Sequence, residues 1–499
     1  MGNEKGVLIA ALVVYFLFLV GIGYAATRRR KHGVDDYYLG GRSLGPFMMI
    51  MTIAASWFSV SGFVGVPAFS YLAGPDFLVY GTWNLLIALG MWYVGVRAWL
   101  IGKRFNYVTP TEMYADYFGG KLVPLLVTVT FLLAIIPQAL VQLTGAGKAV
   151  LGLAGIPYWV GVLLFVAVVG LYTIFGGLRA VVWADVMQGV FMMVVGLFLP
   201  IAVIWHAGGI QQVFSTIQAQ EPQVLTFQTD YLSDSISQYV QTGIGFLGMP
   251  YIFQRFFMAR SPRVLGQSFV GAATIQVWIF ATTSVIFGIA AHAVYTNSQL
   301  GGDADLLVTR FFADYYPVFG AIVVAAVFAH GNSVISAIML TGSSIFSVDL
   351  YKRYFNPAAS EHRIKRFGQG FIVVYMVALV AAALLGAGGT LISILTAVGF
   401  GLALQVVPAM MGPLFWPRIT RAGAASGLLV GVVLAFFFES VPSLQPWDLY
   451  PGTIALPFNL IVTVVVSLFT KPVPYSTQQA FHGYIHSRLA RTTLTVRAV

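Results

Sequence analysis

Two ionisable residues stand inside otherwise apolar stretches of this chain. Asp185 lies in GGLRAVVWADVMQG and His330 in AAVFAHGNSVISAIML. Inside a membrane a carboxylate is costly unless it binds a cation, pairs or carries a proton. An imidazole titrates near neutral pH and can carry a coupling proton. Each residue also has a plainer reading. Asp185 fits a helix-start carboxylate favoured by the N-terminal dipole. His330 fits a neutral ring bonded to a backbone carbonyl. His292, near the outer end of its own apolar stretch, reads as interfacial.

Amide side chains supply the next candidates. Gln138, Gln142 and Thr144 follow Pro137, and the two glutamines lie one helical turn apart on one face. Gln405 precedes Pro408. These groups can hydrogen-bond a small polar solute, or equally join neighbouring helices. No lysine or arginine falls mid-membrane beside them, so an anionic solute would be held by backbone amides freed at helix ends.

Two stretches supply such ends. MTIAASWFSVSGFVGVPAFSYLAG and YVQTGIGFLGMPYIFQRF carry Gly and Pro where a spanning helix would need continuous hydrogen bonds. Freed backbone groups are tolerated at membrane depth only inside protein or against a cavity. Small residues that permit close helix packing are the plainer account of one such stretch. Two in corresponding positions point to a transporter binding site.

The elements that must position these residues are membrane helices. Hydrophobic residues make up 58% of the 499 and charged residues only 9%, against about 25% charged in soluble domains. That excludes a soluble enzyme, a secreted domain and a disordered chain. The length would suggest about three soluble domains, whereas packed membrane helices form one bundle. Cysteine is absent, which excludes disulfides and thiolate chemistry. No P-loop, nucleophile elbow or metal-ligand cluster appears, so the chain reads as no enzyme.

Thirteen apolar segments are read, at about 6–27, 44–73, 76–101, 122–149, 156–176, 185–206, 236–258, 265–295, 315–349, 367–387, 389–412, 423–440 and 452–470. RRRK follows the first rather than preceding it, so that segment reads as a retained helix and not a signal peptide. Most of the 27 lysines and arginines fall in alternate connections, and the net charge of +10 follows from this bias rather than from nucleic-acid binding. Positive-inside bias then places the N-terminus outside and the C-terminus in the cytoplasm. The longest polar connection, 207–235, lies outside.

The broken segments are the second and the seventh, five apart. That spacing divides the chain into an extra N-terminal helix and first cytoplasmic loop over 1–43, and a core over 44–412. The core holds two inverted repeats, about 44–206 and 236–412. Two extra helices over 413–470 and a cytoplasmic tail over 471–499 follow.

Several motifs in this order resemble the sodium:solute symporter family, which includes proline, pantothenate and sugar symporters. They are DDYYLGGRSLGP at 35–46, SGFVGVPAFSYLAG at 61–74, LYTIFGGLRAVVWADVMQG at 171–189, SSIFSVDLYKRY at 343–354 and VVPAMMGPLFWPRITRAGAASG at 406–427. GIPYWVGVLLF and FGGLRAVVWADVMQG are most similar to the pantothenate-permease branch.

The resemblance implies an all-α polytopic membrane protein with the leucine-transporter-like 5+5 inverted-repeat fold and about 13 transmembrane helices. It implies a secondary active symporter that carries a small organic solute into the cell by alternating access. It also implies a sodium site. On this chain the matching positions are the carbonyls of Ala55, Phe58 and His330, with side-chain hydroxyls at the pair Ser333 and Val334. Here the chain departs from the family: Val334 offers no oxygen, and His330 replaces a small residue. The coupling ion is therefore Na+ or, alternatively, H+, with His330 and Asp185 as coupling candidates. A one-position shift would bring in Ser336 instead.

Solute contacts carried over from the family fall on Ser59, Ser61, Gly62, Gln138, Gln142, Thr242, Phe246 and Gln405. Gly62 and Gly245 stand where sugar symporters carry bulkier groups, so the expected solute is an organic anion or amino acid. Expected partners are that solute and the lipid bilayer of a bacterial-type inner membrane, without nucleic acid, cofactor or obligate protein partner. The alternative is a transporter-like membrane receptor or sensor for a small solute.

Overall fold

The apolar segments fold as helices, and their interruptions fall where Gly and Pro put them. The computed structural model describes residues 2–28, 33–57, 59–76, 78, 82–227, 232–300, 302–386 and 395–497. Phe58, the loop at 29–32 and the start of the segment read at 389–412 lie outside the described residues.

Helix α1 spans Gly2–Arg28. Helices α2 (Pro46–Trp57) and α3 (Ser61–Ala73) form one broken span, bent by 60°. Then come α4 (Trp83–Phe105), the short α5 (Pro110–Phe118) and α6 (Leu122–Ala154). Helices α7 (Tyr158–Ile174) and α8 (Gly176–His206) follow. Next is α9 (Ile210–Gln220). The second broken span comprises α10, short helical turns over 232–248, and α11 (Pro250–Phe256). The remainder are α12 (Pro262–Ala293), α13 (Pro317–Phe355), α14 (Glu361–Leu384), α15 (Val398–Leu414), α16 (Arg421–Ser440) and α17 (Pro451–Phe469). The tail helix α18 covers Tyr484–Arg497.

Among the described residues, nine helices are long and apolar enough to cross a membrane, ten with the bent α2–α3 pair. The fifth and eleventh segments of the sequence reading are shorter apolar helices, and the seventh is divided at Met249. Within and beyond the segment read at 76–101, one helix runs over Trp83–Phe105. The polar connection at 207–235 holds α9, whose Val213 and Ile217 are buried while Ile210 and Phe214 are exposed.

Gly177 decides where Asp185 falls. Its φ of 60° and ψ of −162° turn α7 into α8, a conformation that L side chains rarely adopt. A Cβ there would also sit 2.7 Å from the Tyr37 ring. The turn therefore precedes Asp185 by two helical turns. The helix-start reading of Asp185 is corrected: it lies inside α8 and is fully buried.

Small residues set the second packing feature. Gly423, Gly427 and Gly431 recur every four residues on α16. A Cβ on them would collide with Ser467 Oγ, Thr463 Oγ1 and Gln405 Oε1, respectively. This stripe lets α16 and α17 approach closely and brings polar side chains into hydrogen-bond range. Asn459 of α17 donates to the Gln405 carbonyl at 2.8 Å and to its Oε1 at 3.1 Å.

Candidate solute and cation site

The break between α2 and α3 frees backbone groups that α6 partly satisfies. The Val60 amide donates to Gln142 Oε1 at 3.0 Å. Gln142 Nε2 in turn donates to the Gln138 carbonyl at 2.9 Å. Both ends of Gln142 are thus engaged by backbone, and the side chain is fully buried. The Gly62 amide turns back to the Ser59 carbonyl at 3.0 Å, and the hydroxyls of Ser59 and Ser61 bond each other. Of the expected solute residues, Ser59, Ser61, Gly62, Gln138 and Gln142 come together here.

The second broken span closes the other side. The Phe246 ring lies 5.1 Å from Trp57 and 5.6 Å from Phe400. Gly245 packs so closely that a Cβ would sit 2.7 Å from the Phe400 carbonyl. Gly399, next along α15, faces the Gln138 side chain. Trp57, Phe246, Phe400 and Gln138 therefore ring the break. Two buried donors on this ring, Trp57 Nε1 and Gln138 Nε2, have no hydrogen-bond partner. An unpaired buried donor costs about 1–3 kcal/mol, so such groups mark a place where a ligand or water completes the bonding. Trp57 was not among the expected residues. Its only sequence signal is its position directly before the break.

Thr242 and Gln405 lie apart from this ring in their bonding. Thr242 Oγ1 donates to Gln238 Oε1 within α10 at 2.9 Å. Gln405 turns towards α16 and α17, with Nε2 donating to the carbonyls of Gly401 at 3.1 Å and Gly452 at 3.0 Å. Its polar atoms join helices.

Below the break, Asp185 gathers four helices. It accepts from Thr52 Oγ1 of α2 at 2.5 Å and from Ser333 Oγ of α13 at 2.6 Å. The Arg255 guanidinium of α11 stands 3.6 Å away and also bonds Ser56 and the Tyr251 carbonyl. Asp185 and Arg255 are both fully buried. Desolvating such a pair is expensive, and the hydroxyl donors offset part of that cost. Arg255 is a buried arginine of this lower network, paired with Asp185 rather than with the amide residues at the break. Arg255 lies near the end of the seventh segment, read at 236–258, and in the sequence it counts with the basic connection over 255–264.

Of the expected sodium positions, Ser333 lies in this network. Ala55 and Val334 are fully buried, while Phe58 lies outside the described residues. Ser333 donates its proton to Asp185, so both lone pairs of its oxygen can face a cation. Ser336 turns back on its own helix, to the Ser333 carbonyl at 3.1 Å. The His330 ring bonds the Ala326 carbonyl through Nδ1 at 2.6 Å and packs at a tilt against Phe63, with centroids 4.5 Å apart. That is the plainer of its two sequence readings. His292 is more than interfacial: it stacks on Tyr71 at 4.0 Å and reaches Glu221 at 2.7 Å.

The sequence profile of the sodium:solute symporter family matches residues 37–431. The chain belongs to this family. It is 29% identical to the sodium/pantothenate symporter of Escherichia coli (strain K12), over 94% of this chain and 98% of that one. It is 26% identical to the high-affinity proline transporter PutP of Bacillus subtilis (strain 168), over 93% and 98%. Among solved structures, a Na+-coupled sialic acid symporter in a substrate-bound, outward-open state superposes with a TM-score of 0.76 at 20% identity, over 94% and 99% of the two chains. A nucleobase-cation-symport-1 family transporter with bromovinylhydantoin bound superposes at 0.59 and 16%, over 90% and 98%. These neighbours share the leucine-transporter-like fold.

The chain is thus a multi-pass membrane symporter, not an enzyme, and couples solute movement to sodium by alternating access. Polar contacts draw the symporter together at both ends of the bundle. At the arginine-rich end, Thr109 at the start of α5 donates to Asp349 of α13 at 2.8 Å. Gln254 of α11 donates to the Val108 carbonyl at 2.9 Å and to Ser344 Oγ at 3.0 Å. Glu112 caps α5 by accepting the Val108 and Thr109 amides, and burial raises its pKa against the pull of those amides. At the opposite end, Lys148 of α6 binds Asp303 at 3.0 Å and Asp305 at 2.8 Å.

Proposed function

We propose that this symporter imports a small organic acid, either an organic anion or an amino acid, bound at the break between α2 and α3. The observation that carries this reading is the pair of unpartnered donors, Trp57 Nε1 and Gln138 Nε2, on a ring otherwise made of Phe246 and Phe400. Two donors suit an acceptor group such as a carboxylate, and the aromatic rings suit an apolar body. Ser59 and Ser61 add hydroxyls at the bend. Pantothenate, proline and sialic acid, which appear in the names of relatives and neighbours, are all carboxylic acids.

The proposed cation position lies between the carbonyls of Ala55 and His330 and the Ser333 hydroxyl, with Asp185 supplying the charge. Val334 leaves the set one hydroxyl short of the family pattern. Import is the direction in which an inward sodium gradient drives a symporter, and the arginine-rich end is proposed to be cytoplasmic. The proposed division of the core into repeats at about 44–206 and 236–412 puts one broken span first in each repeat.

The test is thermal stability of the purified chain with proline, pantothenate and their carboxamides, in sodium and in equal choline. A rise given by an acid but not its amide, and only in sodium, supports the reading. Equal stabilisation by acid and amide would overturn the carboxylate assignment.

A further inference from the structure

Helix α1 lies outside the proposed repeats, yet its Tyr15 side chain reaches the polar core. Gln188 Nε2 of α8 and Asn332 Nδ2 of α13 both donate to the Tyr15 hydroxyl, each at 2.7 Å. Gln188 and Asn332 are buried to within 2%. Their oxygens, Gln188 Oε1 and Asn332 Oδ1, have no partner. Turning either amide over would exchange one unpartnered atom for another, so in every orientation the two amides depend on the same hydroxyl. On the lipid side of this tie, Val14, Tyr15 and Phe18 line an apolar groove of about 700 Å³ with Phe191 and Ala325. Tyr15 is therefore a polar link at the edge of a loosely filled face.

The position of the link matters more than its strength. Gln188 lies one turn beyond Asp185 on α8, and Asn332 directly precedes Ser333 on α13. The Ser333–Asp185 hydrogen bond of 2.6 Å joins the same two helices. Tyr172 adds a further constraint, donating to the Asn332 carbonyl at 3.1 Å. Without the Tyr15 hydroxyl, both buried amides would lose their one shown partner, and rolling α8 against α13 becomes the way to relieve them. That roll turns the Ser333 oxygen away from the direction in which its lone pairs can meet a cation.

We propose that Tyr15 is a positioning residue for cation binding, holding α8 and α13 in the register that keeps Ser333 on Asp185. It sets sodium affinity without touching the cation or the solute. This rests on the reading that the cation binds at Ser333.

Sodium alone is the probe, so no solute need be known. The full-length chain in lipid nanodiscs is titrated with sodium chloride against equal choline chloride, following the thermal midpoint. In Tyr15→Phe the sodium concentration for half-maximal stabilisation should rise about five-fold, the effect of losing one shared hydrogen bond. Asn332→Ala should do the same, and the double variant should be no worse than either single one. Phe18→Ala, which enlarges the groove and leaves the hydroxyl in place, should lower the midpoint in choline and leave half-saturation unchanged. Should Tyr15→Phe fail to yield folded protein, Gln188→Leu removes the same tie from α8 and is read the same way. A Tyr15→Phe chain that is less stable at every sodium concentration with unchanged half-saturation overturns the proposal. So does a Phe18→Ala shift as large as that of Tyr15→Phe. Ser333→Ala separates the two levels. If it weakens sodium binding while Tyr15→Phe does not, the Tyr15 role fails alone. If it leaves half-saturation unchanged, the cation position and the Tyr15 role fall together.

Discussion

Gln142 of α6 substitutes for a missing helical bond: its Oε1 receives the Val60 amide at 3.0 Å, where the α2–α3 span has lost its own acceptor. The side chain therefore maintains the break rather than waiting for solute. Gln142→Ala should leave a buried amide without a partner and cost about 1–3 kcal/mol. Solute uptake should be lost with it, because the bend is no longer held. Gln142→Glu keeps an acceptor for Val60 and should fall between the two in thermal midpoint. Equal midpoints for Ala and wild type would show that the bend holds itself.

The Asp185–Arg255 pair should behave as a buried unit. Removing one partner leaves a buried charge without its counter-ion, so Asp185→Asn and Arg255→Gln should each destabilise by about 3–5 kcal/mol. The double variant should cost clearly less than the two added together. Additive losses, measured as denaturation midpoints of the four proteins, would mean that the ions act separately despite their 3.6 Å approach.

Much of this arrangement is readable from residue types. Gly and Pro mark both broken spans, because their effect is local and acts on the backbone. The glutamine pair at 138 and 142 falls on one face, as its spacing requires, and both residues do lie at the break. Side-chain direction is where the reading gives out. Gln405 has the same chemistry as Gln142, yet it faces Gly431 and Asn459, because the glycine stripe on α16 draws that helix against it. Arg255 counts as a loop charge until the fold shows that α11 ends inside the bundle. Tyr15 is one aromatic among many on an apolar helix, and only its two amide partners, 173 and 317 positions away, distinguish it.

Val334 offers a test by gain. Threonine is close to valine in size and adds one hydroxyl, the group that the family pattern has at this position. With Ser333 already aligned by Asp185, Val334→Thr should lower the sodium concentration for half-maximal stabilisation several-fold, about the worth of one added oxygen ligand to a charge. An unchanged half-saturation together with a lower midpoint would mean that the new hydroxyl is buried without a cation to meet, and that Val334 does not face the ion.

The tail gives a prediction in pH. Phe481 and Ile485 are buried, and Phe481 stacks on Phe105 at 5.1 Å and meets Tyr117 edge-on at 5.2 Å. His482 reaches the Tyr117 hydroxyl at 3.3 Å. Burial pushes the His482 pKa below its ordinary value; a Gly412 backbone hydrogen bond opposes this, and nearby His486 adds to it. The docked tail therefore prefers the neutral ring. Its contribution to docking is fully present above the ordinary histidine pKa of about 6.5 and is lost as pH falls through the lowered, docked value. The chain has no cysteine, so Ser487→Cys, at an exposed position, accepts a single environment-sensitive dye. Dye mobility should rise between about pH 6.5 and the lowered docked value, and His482→Gln should flatten that response. If the pH response persists unchanged in His482→Gln, another group releases the tail.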